Sequence, residues 1–215
     1  PSVSASIASA EINISTTGND LSNSQIGVEV KSPDGQVVFE EKKDAAEQVT
    51  FSYNLENPDL WHVDTPHLYT VEATVIRADE VVDQVNKRVG YRWFEFKAHG
   101  PFYLNGKPLK LRGTHRHEEH AGYGAAVPNE IHRKDIQMIK NMGANMLRLA
   151  HYPQDPEVYK ACDELGIIVW DELPWCRGGL GNSVWKDNTK RLLKEMITQN
   201  YNHPSIVFWS LGNEI

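Results

Sequence analysis

Apolar and polar residues alternate in short runs along the first 97 residues, which is the pattern of β-strands with one buried face. Clusters of Gly, Pro, Asn and Asp at residues 17–20, 32–35 and 56–59 separate these runs and predict turns. About seven short strands at this spacing predict an antiparallel β-sandwich over residues 1–97. The predicted strands cover residues 4–15, 25–31, 36–40, 49–55, 69–77, 81–89 and 91–96.

The pattern changes after residues 99–101, because apolar residues now recur at helical spacing. Residues 130–142 carry one apolar helical stripe, with Asn129 as the N-cap and Gly143 as the glycine that ends the helix. Strands and helices then alternate to the end of the chain. The other predicted helices cover residues 155–165, closed by Gly166, and 185–200, and the predicted strands cover residues 108–113, 145–150, 167–170 and 205–211.

This alternation predicts parallel strands joined by right-handed crossovers, and strands that are apolar throughout predict a sheet covered on both faces. A doubly wound sheet and a (β/α)8 barrel both satisfy the pattern. No Gly-x-Gly-x-x-Gly follows the first strand, so a dinucleotide-binding sheet has little support. We therefore predict a multidomain β plus α/β protein, in which residues 98–215 form the N-terminal half of a (β/α)8 TIM barrel, about four of its eight repeats.

Composition narrows the function classes further. The chain has 215 residues, 40% of them hydrophobic and 24% charged, which suits a protein with a substantial core. A net charge of −7 argues against nucleic-acid binding, and no apolar run approaches the ~20 residues of a membrane span. The two cysteines, Cys162 and Cys176, are expected to be buried free thiols. Localisation stays undecided, since a bacterial cytoplasm and a periplasm fit equally well.

Polar side chains cluster where the four predicted barrel strands end, at residues 112–120, 148–153, 170–175 and 209–214. The opposite strand ends carry almost none. Because active sites of α/β barrels lie at the C-terminal ends of the strands, this rim is the predicted active site.

Within the rim, His117 and His151 follow neighbouring strands and are the leading histidine candidates. The cluster of His115, His117 and His120 lacks the spacing of a known metal motif, so no metal is predicted. Trp175 lies beside a proline in a loop and is the best candidate for stacking on a ligand.

The acids Asp171 and Glu172 have two interpretations. They are either structural partners of Arg148 or Arg116 or parts of the active site, and the sequence does not decide between these roles.

Glu214 is the strongest single candidate for catalysis. It follows Asn213 at the end of a buried strand, where a low dielectric is expected to raise the pKa of a carboxyl. A carboxylic acid that is still protonated near neutral pH can donate its proton to a leaving oxygen, as the general acid of a glycosidase does.

These residues lie in motifs that resemble the β-galactosidase-like members of glycoside hydrolase family 2. NHPSIVFWSLGNE at residues 202–214 is similar to the family's acid/base signature, and residues 145–170 are similar to its second signature. FYLNGKPLKLRGTHRHEEH at residues 102–120 resembles the entry to the barrel. Residues 58–96 resemble the immunoglobulin-like domain that precedes the barrel, so the resemblance covers most of the chain.

The resemblance implies a retaining reaction on terminal β-D-galactosides, with two carboxylates. It assigns Glu214 as the acid/base, Asn213 to the sugar's 2-hydroxyl, and His117 and His151 to the sugar subsite. Arg148 would hold the nucleophile and keep it ionised, whereas the nucleophilic glutamate itself has no counterpart in this chain. The sister activities β-glucuronidase and β-mannosidase share these features and remain alternatives.

No cofactor is expected, because the chain departs from some members of the family at their magnesium site. Some bacterial members bind magnesium shortly after the third strand, and the matching positions here are Cys176 and Gly178. Neither side chain supplies the oxygen ligands that magnesium prefers, so we expect no magnesium there.

The chain stops one residue after Glu214, and we expect this ending to be a production or processing boundary. Half a barrel leaves strand edges uncovered, so self-association, another polypeptide or a missing part of the protein is expected to cover the first and fourth strands. The chain alone is expected to be inactive, because it lacks the nucleophile. The alternative from another class is a non-catalytic sugar-binding or interaction fragment in which the sandwich is the working part.

Overall fold

A computed structural model describes residues 2–18 and 21–215. The chain forms two compact units: one contains the residues up to Trp61 together with His67–Trp93, and the other contains His62–Pro66 and Phe94–Ile215. The predicted turn at residues 17–20 falls partly outside the described residues. The predicted boundary between residues 97 and 98 stays a prediction.

The first unit is a β-sandwich, as predicted. Strands β2 and β5 lie in a sheet of order β1-β2-β5, and the second sheet has the order β4-β3-β6-β7, with antiparallel neighbours throughout. The strands are β1 (Ser2–Val3), β2 (Ile7–Ser15), β3 (Ser24–Lys31), β4 (Val37–Asp44), β5 (Gln48–Glu56), β6 (Tyr69–Arg77) and β7 (Glu80–Val89).

Side chains of both sheets meet in one core. Ala8 and Phe51 come from the first sheet, and Val28 and Val30 from the second, all of them buried. Phe51, Trp61, Tyr69 and Tyr91 are buried too. Phe51, Tyr69 and Tyr91 belong to the core that the two sheets share, and none of the four buried aromatic side chains lies on an exposed, ligand-stacking face.

In the second unit, strands β11 to β14 form a parallel sheet in chain order, with helices between them. A small antiparallel sheet of β8, β9 and β10 precedes it. None of the helices in the described part of the chain is long and apolar enough to cross a membrane. The elements are β8 (Phe94–Phe96), β9 (Phe102–Leu104), β10 (Lys107–Leu109), β11 (Gly113–Arg116), α1 (Asn129–Asn141), β12 (Met146–Leu149), α2 (Pro156–Leu165), β13 (Ile168–Glu172), α3 (Ser183–Asn200) and β14 (Ile206–Ser210).

The first barrel strand begins later than predicted, because a hairpin takes up part of residues 108–113. Asn105 and Gly106 have φ values of 52° and 75°, the left-handed conformation that a two-residue hairpin turn requires. The turn pairs β9 with β10, and β11 starts only at Gly113. The predicted strand was therefore wrong in its bounds, although the Asn-Gly pair was a readable turn signal.

Helix ends follow the sequence with one exception. Gly143 and Gly166 end α1 and α2 in left-handed conformations, as predicted. Asn129, however, is the first residue of α1, and the N-cap position belongs to Pro128, which has no side-chain cap.

Alternation along the parallel strands gives the sheet two faces. Leu147, Leu149 and Val169 pack with buried side chains of α1 and α2, and we call this the outer face. Arg148 and Trp170, which lie between these positions and pair in register, project to the opposite, inner face. Residues on the inner face at the C-terminal strand ends form the candidate site.

Candidate active site

Glu172 is the centre of the predicted rim. It is the last residue of β13, its side chain is 0% exposed, and it lies opposite Ser210 of β14. Nε and Nη2 of Arg148 donate to its two oxygens at 2.9 and 3.0 Å, and Nδ1 of His151 lies 2.7 Å from Oε1. Trp170 Nε1 and Ser210 Oγ each donate to Oε2 at 3.1 Å. Arg148 also contacts Asn213. We call these four residues the rim network: Arg148, His151, Glu172 and Asn213.

These contacts decide the charge of Glu172. Burial by itself raises the pKa of the carboxyl, but hydrogen bonds from His151 and Arg148 and the charge of Arg148 hold the pKa below its ordinary value. Glu172 is therefore a buried anion stabilised by its donors. Of the two partners that the sequence allowed, Arg148 is the one that it pairs with.

Asn213 joins the network through Arg148. Nη2 of Arg148 donates to Asn213 Oδ1 at 2.8 Å, and Asn213 Nδ2 donates to Cys176 Sγ at 3.5 Å. The backbone of Asn213 is held as well, because its N–H donates to the carbonyl of Trp175 at 2.8 Å and its carbonyl accepts from the N–H of Arg177 at 3.2 Å. The end of β14 is thus fixed against the loop that follows β13.

Gly212 makes this close approach feasible. A Cβ atom there would lie 2.5 Å from the carbonyl oxygen of Trp175, and the φ of Gly212 is 148°. Only glycine fits this position without displacing the loop.

The two leading histidines lie together. The rings of His117 and His151 are 5.1 Å apart at an interplanar angle of 75°, and His115 packs edge-on against His117 at 5.9 Å. His117 is exposed and His151 is half-buried. The pair therefore extends the rim network from His151 to the exposed side chain of His117.

Glu214 does not lie in the low-dielectric setting that the sequence suggested. Its side chain is 57% exposed and forms an ion pair with Arg177, whose Nε lies 2.6 Å from Oε2. The hydrogen bond and the charge of Arg177 lower the pKa of Glu214. The expectation of a raised pKa is wrong in this structure, because the loop after β13 supplies a cation and no side chain covers the carboxyl.

Trp175 packs edge-on against Trp185 at 4.9 Å, and its Nε1 donates to the carbonyl of Gly178 at 2.5 Å. These contacts give the indole a defined orientation in the loop after β13. Its role in stacking on a ligand stays a prediction.

The cysteines differ from expectation in one respect. Cys162 is buried, whereas Cys176 is exposed. Cys176 and Gly178, at the positions that match the magnesium site of some relatives, offer a thiol and no side chain, so they do not fit a cation that needs oxygen ligands. Within residues 2–18 and 21–215, no group of three or more His, Cys, Asp or Glu side chains is arranged to hold a metal ion.

Sequence reasoning missed three participants: Arg177, Ser210 and the indole nitrogen of Trp170. The positions of Ser210 and Trp170 did indicate a place in the rim, since each lies in the last residues of a barrel strand. Arg177 had none, because only the path of its loop brings it to Glu214. Arg116, the other candidate partner for the acids, lies on the outer face and pairs with Asp135 of α1 at 2.9 Å.

Two family profiles match this chain. Residues 95–215 match the profile described as "Glycosyl hydrolases family 2, TIM barrel domain", and residues 1–92 match "Glycosyl hydrolases family 2". The resemblance seen in the motifs is thereby confirmed.

Relatives and solved structures agree with the profiles. A protein of Formosa agariphila named "Putative beta-glucuronidase" is 58% identical over 96% of this chain and 26% of its own length. The "Beta-galactosidase" of Thermoanaerobacter pseudethanolicus is 38% identical over 94% of this chain and 28% of its own length. The crystal structure of Parabacteroides merdae β-glucuronidase matches with a TM-score of 0.92 and 42% identity, over 97% of this chain and 28% of that chain.

The chain thus spans about a quarter of the length of these relatives. The predicted fold class, a sandwich followed by part of a TIM barrel, is confirmed by the profiles and by the structural match. Because the barrel profile alone covers more than half of the sequence, the chain belongs to glycoside hydrolase family 2.

Proposed function

We propose that this chain supplies the acid/base half of a retaining β-glycosidase, with Glu214 as the acid/base. The observation that carries the proposal is the position of Glu214 shortly after the end of β14, next to Asn213, which Arg148 holds in the rim network. A retaining glycosidase needs a second carboxylate about 5–5.5 Å away as nucleophile. We propose that a part of the longer protein outside this chain provides it.

Arg148 is suited to receive that nucleophile. Its Nε and Nη2 are taken by Glu172 and Asn213, whereas Nη1 has no hydrogen-bond partner among the described residues. A carboxylate at Nη1 would be kept ionised by the guanidinium, as the nucleophile requires.

His117, His151 and Asn213 form the proposed sugar subsite, with Trp175 at its edge as a stacking surface. Neutral imidazoles and an amide can exchange hydrogen bonds with sugar hydroxyls. In the proposed reaction, Asn213 contacts the 2-hydroxyl, while Glu214 protonates the leaving oxygen and later takes a proton from the attacking water.

Arg177 sets a condition on this chemistry. While it pairs with Glu214, the carboxyl is held ionised and cannot donate a proton. A nucleophilic carboxylate about 5 Å away would raise the pKa of Glu214 by like-charge repulsion, and a bound sugar would exclude water from the pair. We propose that these two changes raise the pKa of Glu214 enough for its carboxyl to be protonated before it acts.

For the sugar we propose a β-D-glucuronide, because relatives at 58% and 42% identity bear the name β-glucuronidase. A β-D-galactoside is the second candidate, favoured by the relative at 38% identity and by the histidine-rich strand ends. The expectation of a galactoside thus stays a prediction. Three further expectations also stay predictions: activity on a β-mannoside, the absence of a cofactor, and an association that covers β11 and β14.

The test uses the full-length protein with p-nitrophenyl β-glucuronide, β-galactoside and β-mannoside. Glu214→Ala is expected to slow hydrolysis by about 10²–10⁴-fold on the preferred substrate. Azide is expected to restore turnover and yield a glycosyl azide with retained configuration, because a small anion needs no general base. Glu119→Ala, which removes an exposed carboxylate of the same rim, is the control and is expected to keep wild-type activity.

Wild-type turnover by Glu214→Ala would overturn the assignment of the acid/base. An azide product of inverted configuration would overturn the retaining mechanism. Hydrolysis of none of the three glycosides, together with galactose binding by the sandwich, would favour the non-catalytic alternative.

A further inference from the structure

Glu172 is a buried carboxylate to which the proposed reaction assigns no role. Its two oxygens receive donors from Arg148 (twice), His151, Trp170 and Ser210. A carboxylate has about four lone-pair sites, so these contacts leave none for a substrate. Glu172 is fully buried as well, and it therefore cannot act on a sugar directly.

The contacts of Arg148 determine which nitrogen of His151 carries the proton. Nη2 of Arg148 has two hydrogens, and these are directed to Glu172 at 3.0 Å and Asn213 at 2.8 Å. No hydrogen is left for the longer 3.3 Å contact from Nη2 to Nδ1 of His151. Nδ1 must then be the donor in its 2.7 Å contact with Glu172, so that in the neutral imidazole Nε2 carries no hydrogen and is able to accept.

The same guanidinium determines the orientation of the Asn213 amide. Because Nη2 can only donate, the atom of Asn213 that faces it is the oxygen. The amide nitrogen then faces Cys176, with one hydrogen directed to the sulfur at 3.5 Å, and the amide also hydrogen-bonds the carboxyl of Glu214 and helps to lower its pKa.

We propose that Glu172 is the positioning residue that sets the hydrogen-bond polarity of the sugar subsite. Through His151 it presents an acceptor, Nε2, and through Arg148 it presents a donor, the amide nitrogen of Asn213. In the subsite, one sugar hydroxyl therefore donates its hydrogen to Nε2 of His151, and the oxygen of another accepts from the amide nitrogen of Asn213. This assignment of sugar contacts rests on the proposed function, whereas the protonation state of His151 does not.

The test is imidazole ¹⁵N NMR on the 215-residue chain at pH 8, with the His151 signal identified by its loss in His151→Gln. In the wild type, Nδ1 is expected to carry the hydrogen. In Glu172→Met the carboxylate is gone, so Nη2 of Arg148 becomes free to donate to Nδ1. The proton is then expected to move, and Nε2–H becomes the main form.

Two controls accompany this measurement. His203, whose Nδ1 lies 2.5 Å from Asp163, should keep its Nδ1–H form in every variant. Ser210→Ala removes a donor of Glu172 that does not touch His151, so the Nδ1–H form of His151 should persist.

An Nε2–H form of His151 in the wild type would overturn the proposal, and this measurement suffices if Glu172→Met does not fold. Retention of Nδ1–H in a folded Glu172→Met would overturn it as well. Neither result depends on the azide experiment, so the positioning role and the acid/base assignment can fail separately.

Discussion

Asp171 and Glu172 are neighbours on β13 and both are 0% exposed, yet the pKa values of their carboxyls shift in opposite directions. Burial raises the pKa of Asp171 to about 6, and the hydrogen bonds that oppose this effect come from the neutral groups of Tyr159 and Asn200 and from a backbone amide. Burial also acts on Glu172, but the hydrogen bonds of His151 and Arg148 outweigh it and lower the pKa.

The comparison shows that loss of solvent exposure alone does not decide the direction in which the pKa of a buried acid shifts. The neutral donors of Asp171 offset only part of its desolvation cost, whereas the hydrogen bonds of His151 and Arg148, together with the charge of Arg148, more than offset that of Glu172. The two sides also differ in their surroundings. Asp171 faces α2 and α3 through Tyr159 and Asn200, while Glu172 faces the inner side of the sheet, where it contacts Arg148 and His151.

Among the substitutions that test this comparison, Glu172→Met is expected to lower the free energy of unfolding most. It leaves Arg148 without its charged partner, and removing one member of a buried ion pair costs about 3 kcal/mol. Urea unfolding followed by tryptophan fluorescence measures the loss. Glu119→Met, at an exposed position, is the control and should change the free energy of unfolding by less than about 0.5 kcal/mol. Equal stability of Glu172→Met and wild type would show that Arg148 needs no anion.

The pH dependence of the free energy of unfolding tests Asp171 separately from Glu172. Because its pKa is about 6 in the folded chain and ordinarily 3.8, the folded state binds the proton more tightly. The resulting stabilisation is complete below about pH 4 and is lost as the pH rises through about 6, a fall of about 3 kcal/mol. Glu172, with its lowered pKa, loses its contribution only on acidification below its ordinary value of 4.5, outside most of this window.

Urea unfolding at several pH values between 4.5 and 7.5 compares wild type with Asp171→Asn. The asparagine variant should lack most of this pH dependence. Parallel pH profiles for the two proteins would mean that Asp171 ionises normally.

The smallest expected effects come from two single hydroxyl deletions. Tyr159→Phe removes the group that donates to Asp171 at 2.9 Å and accepts from the backbone of Gln154 at 3.1 Å, so it should cost about 2 kcal/mol. Ser210→Ala removes one of several donors of Glu172 and should cost about 1 kcal/mol or less. The same urea titration ranks them, and the reverse order would contradict the view that Glu172 is over-supplied with donors.

Much of the site was readable from the sequence. The strand ends after β11, β12, β13 and β14 carried the polar residues, and the structure places Arg148, His151 and Asn213 in one network. The exposure of Glu214 was not readable. It depends on the loop after β13, which brings Arg177 to the carboxyl and carries no periodic pattern that predicts its path.

The sequence by itself determined the order of strands and helices, because apolar spacing follows the period of each element. The predicted strand ended at residue 170, and it is the extension of β13 to Glu172 that puts Asp171 and Glu172 on opposite faces, because side chains alternate along a strand. Only the tertiary structure decided their partners. Pairing of β11 with β12 puts Arg116 on the outer face and Arg148 on the inner one, and a register shift between β13 and β14 sets Glu172 opposite Ser210. Such pairings join residues that are distant along the chain, and strand periodicity carries no information about them.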